Sequence, residues 1–132
     1  MNQRGFATLE VILMVMVIAI LASIAVPRFN AVTAAANSAK IQSDLSTIDT
    51  AIAIYIMENG NPSTAPTMEN LKSYLQDADN IKPPTGKCYT NESTDPVSVP
   101  EGNYTIKTTD DGDYRAALGG KTSGEFTRKA SN

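Results

Sequence analysis

The sequence has no histidine and a single cysteine, Cys88, among its 132 residues. One cysteine cannot form an intramolecular disulfide, and without histidine the chain cannot assemble a thiol–imidazole pair or a Cys/His zinc site. Basic residues are also fewer than acidic ones: the chain has 11 Lys and Arg and 14 Asp and Glu, which gives a formal net charge of -3. No long basic run is present, so the composition does not support nucleic acid as a direct ligand. These absences exclude much of the known enzyme repertoire.

One long apolar run dominates the N-terminal part of the chain. Residues 6–26 read FATLEVILMVMVIAILASIAV, and Glu10 is the only charge among them. A helix needs about 20 apolar residues to cross a bilayer core about 30 Å thick. The run therefore predicts a membrane helix over residues 6–26. Five residues that include Arg4 precede it, and the positive-inside rule predicts that this end stays in the cytoplasm and the rest lies outside.

A secretory signal peptide is the alternative interpretation of the same run. Its apolar region usually has about 7–15 residues and ends at a cleavage site with small residues. Ala22, Ser23 and Ala25 would suit such a site. The run is longer than a signal peptide requires, which favours the membrane helix.

A second helical pattern follows the apolar run. Pro27 lacks a backbone donor and predicts a kink. Beyond it, apolar residues recur at spacings of four, three, four and three: Ile41, Leu45, Ile48, Ile52 and Tyr55. This stripe predicts an amphipathic helix over residues 27–59 that covers the core of a small domain. Gly60, which follows Asn59 and precedes Pro62, is predicted to end it.

The remaining residues, 60–132, are predicted to form a loop region and a small antiparallel sheet. In NYTIKTTDDGDYRAALGG, apolar and polar residues alternate on both sides of Asp111-Gly112, which predicts a β-hairpin. Further strands are predicted over 97–99 and 124–128, and a short helix over 67–75. The expected fold is α+β: a long N-terminal helix, its first half in the membrane, packed against a small antiparallel sheet headgroup.

Three aspartates, Asp110, Asp111 and Asp113, crowd the hairpin turn. Calcium prefers clustered oxygen ligands, so the three are weak candidates for a metal site. Their spacing fits no complete calcium loop, and turns favour Asp for local hydrogen bonds. We therefore expect a solvated turn and no cofactor, with calcium as the alternative, and we expect Cys88 to be buried as a small apolar residue.

Residues 4–30 resemble the N-terminus of the type IV pilin and type II secretion pseudopilin superfamily. The matching residues are Arg4-Gly5, Phe6, Thr8, Leu9, Glu10, the apolar run and Pro27. The order Phe-Ala-Thr-Leu-Glu differs from the family's usual Phe-Thr-Leu-Ile-Glu, but Glu10 still stands four residues after Phe6. The resemblance implies a pilin-like fold, with the long helix packed against the headgroup sheet.

The resemblance also implies how the N-terminus is processed and used. A prepilin peptidase would cut between Gly5 and Phe6, remove the leader of residues 1–5, and methylate the new amino group of Phe6. Glu10 would then pair with the N-terminal amine of a neighbouring subunit. A carboxylate in hydrocarbon is costly without a partner, although Glu10 near the headgroups would also be able to snorkel to water.

The function implied is that of a structural subunit, a homopolymer in a type IV pilus or a pilus-like filament. Its implied partners are the prepilin peptidase, an inner-membrane assembly platform and an assembly ATPase. The precursor would span the cytoplasmic membrane once, and the filament would be extracellular or periplasmic. The alternatives are a pseudopilin of a secretion or competence machine and a single-pass anchored extracellular binding protein. No residues with recognisable catalytic partners predict an enzyme.

Overall fold

The computed structural model describes residues 3–131, except the side chain of Pro27. Residues 1 and 2 of the predicted leader and the last residue of the predicted headgroup therefore lie outside the described part. The chain divides between Val32 and Thr33 into two compact units. A long helix, α1 (Gln3–Asn59), runs through both, and the second unit adds two small antiparallel sheets. The predicted α+β class, with a long N-terminal helix and a small antiparallel headgroup, is confirmed.

In the first unit, α1 presents apolar side chains on all sides. The exposed fraction of its large apolar side chains ranges from 49% at Ile12 to 69% at Phe29. The helix continues without interruption through Pro27, so the predicted kink there stays a prediction. Because an apolar surface of this extent is unfavourable in water, this half of the helix needs lipid or other apolar helices around it.

In the second unit, the predicted stripe of α1 is the core face of the helix. Ile41, Leu45, Ile48 and Ile52 are at most 2% exposed, and the same spacing extends back to the buried Ala34. The helix ends at Asn59, and Gly60 follows with φ +78°. A left-handed residue directly after a helix is a common stop, and glycine adopts that conformation without steric cost.

The predicted β-hairpin is confirmed. The strands, in chain order, are β1 (Lys87–Cys88), β2 (Val97–Ser98), β3 (Thr105–Thr108) and β4 (Tyr114–Ala117). β3 pairs antiparallel with β4, so that Thr105 lies opposite Ala117 and Thr108 opposite Tyr114. β2 lies within the predicted strand 97–99, but its partner β1 was not predicted, because two residues are too few to show an alternating pattern.

Two predicted elements need correction. No strand forms over 124–128, because Ser123–Glu125 is a 3-10 helix. The Glu125 carboxylate accepts from the Thr122 amide at 2.7 Å, and a Thr-x-x-Glu pattern of this kind begins a helical turn. The helix predicted over 67–75 is shorter than expected, since α2 (Met68–Leu71) stops after one turn that Thr67 caps.

The head, meaning the second unit from Thr33 onward, has one core beneath the α1 stripe. The stripe packs with residues from every other part of the head: Leu71, Leu75, Cys88, Tyr104, Ala116, Leu118 and Phe126. Cys88 is fully buried, as predicted, and this burial raises the pKa of its thiol. The sheets and loops therefore bury the apolar face of α1, and α1 buries theirs.

Candidate functional site

The first half of α1 is the candidate functional site, because its apolar surface is exposed. By length and composition, α1 is apolar enough to cross a membrane, and none of its most apolar window is buried within the chain. Length and apolar composition are the properties that a membrane anchor requires. In such surroundings each polar side chain in this half needs a hydrogen-bond or ion-pair partner.

The two hydroxyl side chains of residues 6–26 are satisfied by their own helix. Thr8 Oγ1 donates to the Arg4 carbonyl oxygen at 2.9 Å, and Ser23 Oγ donates to the Ile20 carbonyl oxygen at 2.7 Å. Bonds of this type remove a hydroxyl's need for water, which is what an apolar environment demands. Neither hydroxyl needs a further partner in the uncut chain.

Glu10 is the exception in the apolar half. Its side chain is exposed, and it makes no hydrogen bond or ion pair within residues 3–131. A carboxylate that leaves water without a partner carries a large desolvation cost. Phe6 lies four residues earlier, one turn away on the same helix face. Any partner that relieves Glu10 must therefore come from outside the described chain.

Gly5, the residue before the predicted cleavage site, has no structural reason to be glycine. It lies in the first turns of α1, and an added Cβ would meet no described atom within 4 Å. Glycine inside a helix costs up to about 1 kcal/mol relative to alanine, because it is more flexible when unfolded. Its presence lowers the cost of unwinding the helix next to the Gly5–Phe6 bond, and this favours local opening at that bond.

Polar side chains beside the stripe hold α1 onto the head. Near the start of the head, Asn37 Nδ2 donates to the carbonyl oxygens of Thr85 and Lys87, at 3.1 and 2.8 Å. Ser38 Oγ accepts from the Tyr89 amide at 2.7 Å. These bonds place the loop that leads into β1 against the first turns of α1 in the head. Sequence reasoning missed them, and the only signal was polar residues next to an apolar stripe.

Further along α1, two aspartates hold the hairpin. The Tyr104 hydroxyl donates to Asp44 Oδ2 at 2.7 Å, and Lys40 Nζ donates to the same oxygen at 2.5 Å. Burial of Tyr104, together with its hydrogen bond to Asp44, raises the pKa of the phenol and keeps it protonated as a donor. Asp49 Oδ1 accepts from the Ala116 amide at 2.7 Å. These carboxylates are occupied in positioning the hairpin.

The hairpin turn is closed by its own backbone. The Thr109 amide donates to the Asp113 carbonyl oxygen at 2.7 Å, and the Gly112 amide donates to the Thr109 carbonyl oxygen at 2.9 Å. Within residues 3–131, no three His, Cys, Asp or Glu side chains come together in a way that could hold a metal ion. Asp110, Asp111 and Asp113 are thus neighbours in sequence but do not form such a group.

Comparison of the chain with models of known protein families, with curated proteins and with solved structures finds no match.

Proposed function

We propose that this chain is a structural subunit of a type IV pilus or pilus-like filament, a member of the type IV pilin and pseudopilin superfamily. The observation that carries the proposal is the first half of α1, which is apolar on all sides and bears one carboxylate, Glu10, that has no partner within residues 3–131. In the precursor this half spans the cytoplasmic membrane once. In the filament, the same half packs against other copies.

Glu10 provides the register of that packing. Apolar helices that slide along one another in lipid have little to favour one axial position. Cleavage between Gly5 and Phe6 creates a new ammonium group on Phe6, which the peptidase then methylates. Pairing of this group with Glu10 of a neighbouring copy relieves both charges, and every other register leaves a carboxylate unpaired in an apolar bundle.

The proposed partners follow from this cycle. They are a prepilin peptidase, an inner-membrane assembly platform and an assembly ATPase, since the chain has no nucleotide-binding loop of its own. The head lies on the outer side of the membrane and forms the filament surface, extracellular or periplasmic. We assign it no enzymatic activity and no cofactor.

The test is the mass and N-terminal sequence of the chain in material sheared from the cell surface. We expect a chain that begins at methylated Phe6 and sediments with filaments. The variant Glu10→Gln should be cleaved normally and should not sediment, because the amide cannot neutralise the ammonium group. Glu101→Gln, the same exchange at an exposed residue of the head, should assemble normally.

Two outcomes would contradict the proposal. An uncut chain that begins at Met1 and stays in membranes would favour an anchored extracellular binding protein. Cleaved Glu10→Gln chains that form normal filaments would remove the carboxylate from the assembly mechanism.

A further inference from the structure

Cleavage after Gly5 changes the hydrogen bonding of one side chain in particular, Thr8. In the uncut chain its hydroxyl donates to the carbonyl oxygen of Arg4 at 2.9 Å. Inside a helix, a threonine hydroxyl bonds the carbonyl three or four residues before it. For Thr8 these are Gly5 and Arg4, and both leave with the leader. The hydroxyl of the mature chain then has no helical acceptor.

Other hydroxyl groups of α1 that bond to a carbonyl of the helix keep their acceptors after cleavage. Ser23 donates to Ile20, Thr47 to Ser43 at 2.9 Å and Thr50 to Ser46 at 2.9 Å. All of these acceptors remain after the cut. Ser23 is also the next hydroxyl residue after Thr8 in the sequence. Processing therefore frees a single hydroxyl donor, in the same turn as the new ammonium group of Phe6.

We infer that, in the assembled protein, the freed Thr8 hydroxyl donates to the Glu10 carboxylate of a neighbouring copy, beside the Phe6 ammonium group. This inference rests on the proposed function. Glu10 carries the one charged acceptor among residues 6–26, and hydrogen bonds to a carboxylate are stronger than those between neutral groups. A carboxylate accepts about four hydrogen bonds, so one ammonium group does not saturate it.

Helix geometry makes this contact intermolecular. Thr8 and Glu10 are two residues apart, which places them about 160° apart around the helix axis. The hydroxyl therefore points away from the carboxylate of its own chain. The donor lies on one side of the helix and the acceptor on the other, so a contact between them joins two different surfaces of neighbouring copies. Such a heterologous contact can repeat from copy to copy as an open filament and does not have to close into a ring. A filament requires a contact of that kind.

The leader then has a second effect besides marking the cleavage site. While Arg4 is present, the Thr8 hydroxyl is occupied within its own helix and the amino group of Phe6 is part of a peptide bond. One cut frees both donors together. Uncut chains therefore lack both donors for Glu10, and this restricts assembly to processed subunits.

The experiment compares Thr8→Val, Thr8→Ser and Ser23→Ala in the full chain expressed in its own cells. Intact mass measures cleavage, and the sheared, sedimentable fraction per cleaved chain measures assembly. Valine keeps the shape of threonine and removes the hydroxyl, whereas serine keeps the hydroxyl. We expect Thr8→Val to be cleaved normally and to lose about tenfold or more of its assembly, as one charge-assisted bond is lost at each contact. Thr8→Ser should stay within about threefold of the unmodified chain, and Ser23→Ala should assemble normally.

Each other outcome overturns the inference. Normal assembly of Thr8→Val, or equal losses for Thr8→Val and Thr8→Ser, would show that the hydroxyl is not used. Because assembly is measured per cleaved chain, a partial loss of cleavage in Thr8→Val leaves this comparison intact. An unmodified chain that is neither cut nor sedimentable would instead refute the proposed function itself.

Discussion

Removing the Asp49 side chain should destabilise the head mainly because it leaves one buried backbone amide without a hydrogen-bond acceptor. Asp49 Oδ1 accepts from the amide of Ala116 at 2.7 Å, and Ala116 is fully buried. Asp49 Oδ2 accepts from Arg115 Nε at 3.0 Å and forms an ion pair with Arg115 Nη2, also at 3.0 Å. The variant Asp49→Ala therefore removes the hydrogen bond from the buried Ala116 amide. It also removes the ion pair with the more exposed Arg115 side chain.

The two losses differ in size. A buried amide left without an acceptor costs about 1–3 kcal/mol. The Arg115 side chain is 46% exposed, and an ion pair of that kind contributes about 0–1 kcal/mol. We expect Asp49→Ala to lower the free energy of unfolding by about 1–4 kcal/mol, most of it from the amide. The matched control Arg115→Ala keeps the hydrogen bond from the Ala116 amide to Asp49. It should lower the free energy of unfolding by only about 0–1 kcal/mol.

Near-UV circular dichroism during urea unfolding of the full chain in detergent micelles gives the measurement. The chain has no tryptophan, and its five tyrosines all belong to the head: Tyr55, Tyr74, Tyr89, Tyr104 and Tyr114. The tyrosine band therefore follows the head and not the apolar half of α1, and its midpoint and slope yield the free energy of unfolding. Equal losses in Asp49→Ala and Arg115→Ala would refute the reasoning, because they would assign the stability to the ion pair.

Three further predictions concern the head. The thiol of Cys88, buried and with a raised pKa, should react with a thiol reagent only as fast as the head opens, with full labelling in urea as the control; immediate labelling of folded protein would contradict this. The Thr122 amide lowers the pKa of Glu125 below its ordinary value of 4.5, so this residue contributes stability that is present above that value and lost as the pH falls through the lowered pKa. The variant Glu125→Gln should therefore show a smaller loss of stability than the unmodified chain between pH 7 and acid pH, and identical losses would argue against the bond. Calorimetric titration with calcium should give no binding heat, whereas a saturable heat abolished by replacing the hairpin-turn aspartates would establish a metal site.

The hairpin and the α1 stripe could be predicted because their signals are local. Turn residues and a two-residue alternation mark β3 and β4, and a spacing of four and three marks the buried face of α1. The 3-10 helix at Ser123–Glu125 was not predicted, although its Thr-x-x-Glu pattern is also local. β1 and β2 are two residues each, and so short a pair depends on its neighbours for stability.

The sequence by itself determined the apolar half of α1, its lone carboxylate, the core face of the second half and the hairpin. Each of these follows from periodicity, charge or turn chemistry within a few residues. Only the tertiary structure decided which polar groups meet across the chain, such as Asp49 with Ala116, 67 residues later. Hydrogen-bond partners depend on distance and direction, and those are set only when the elements have packed.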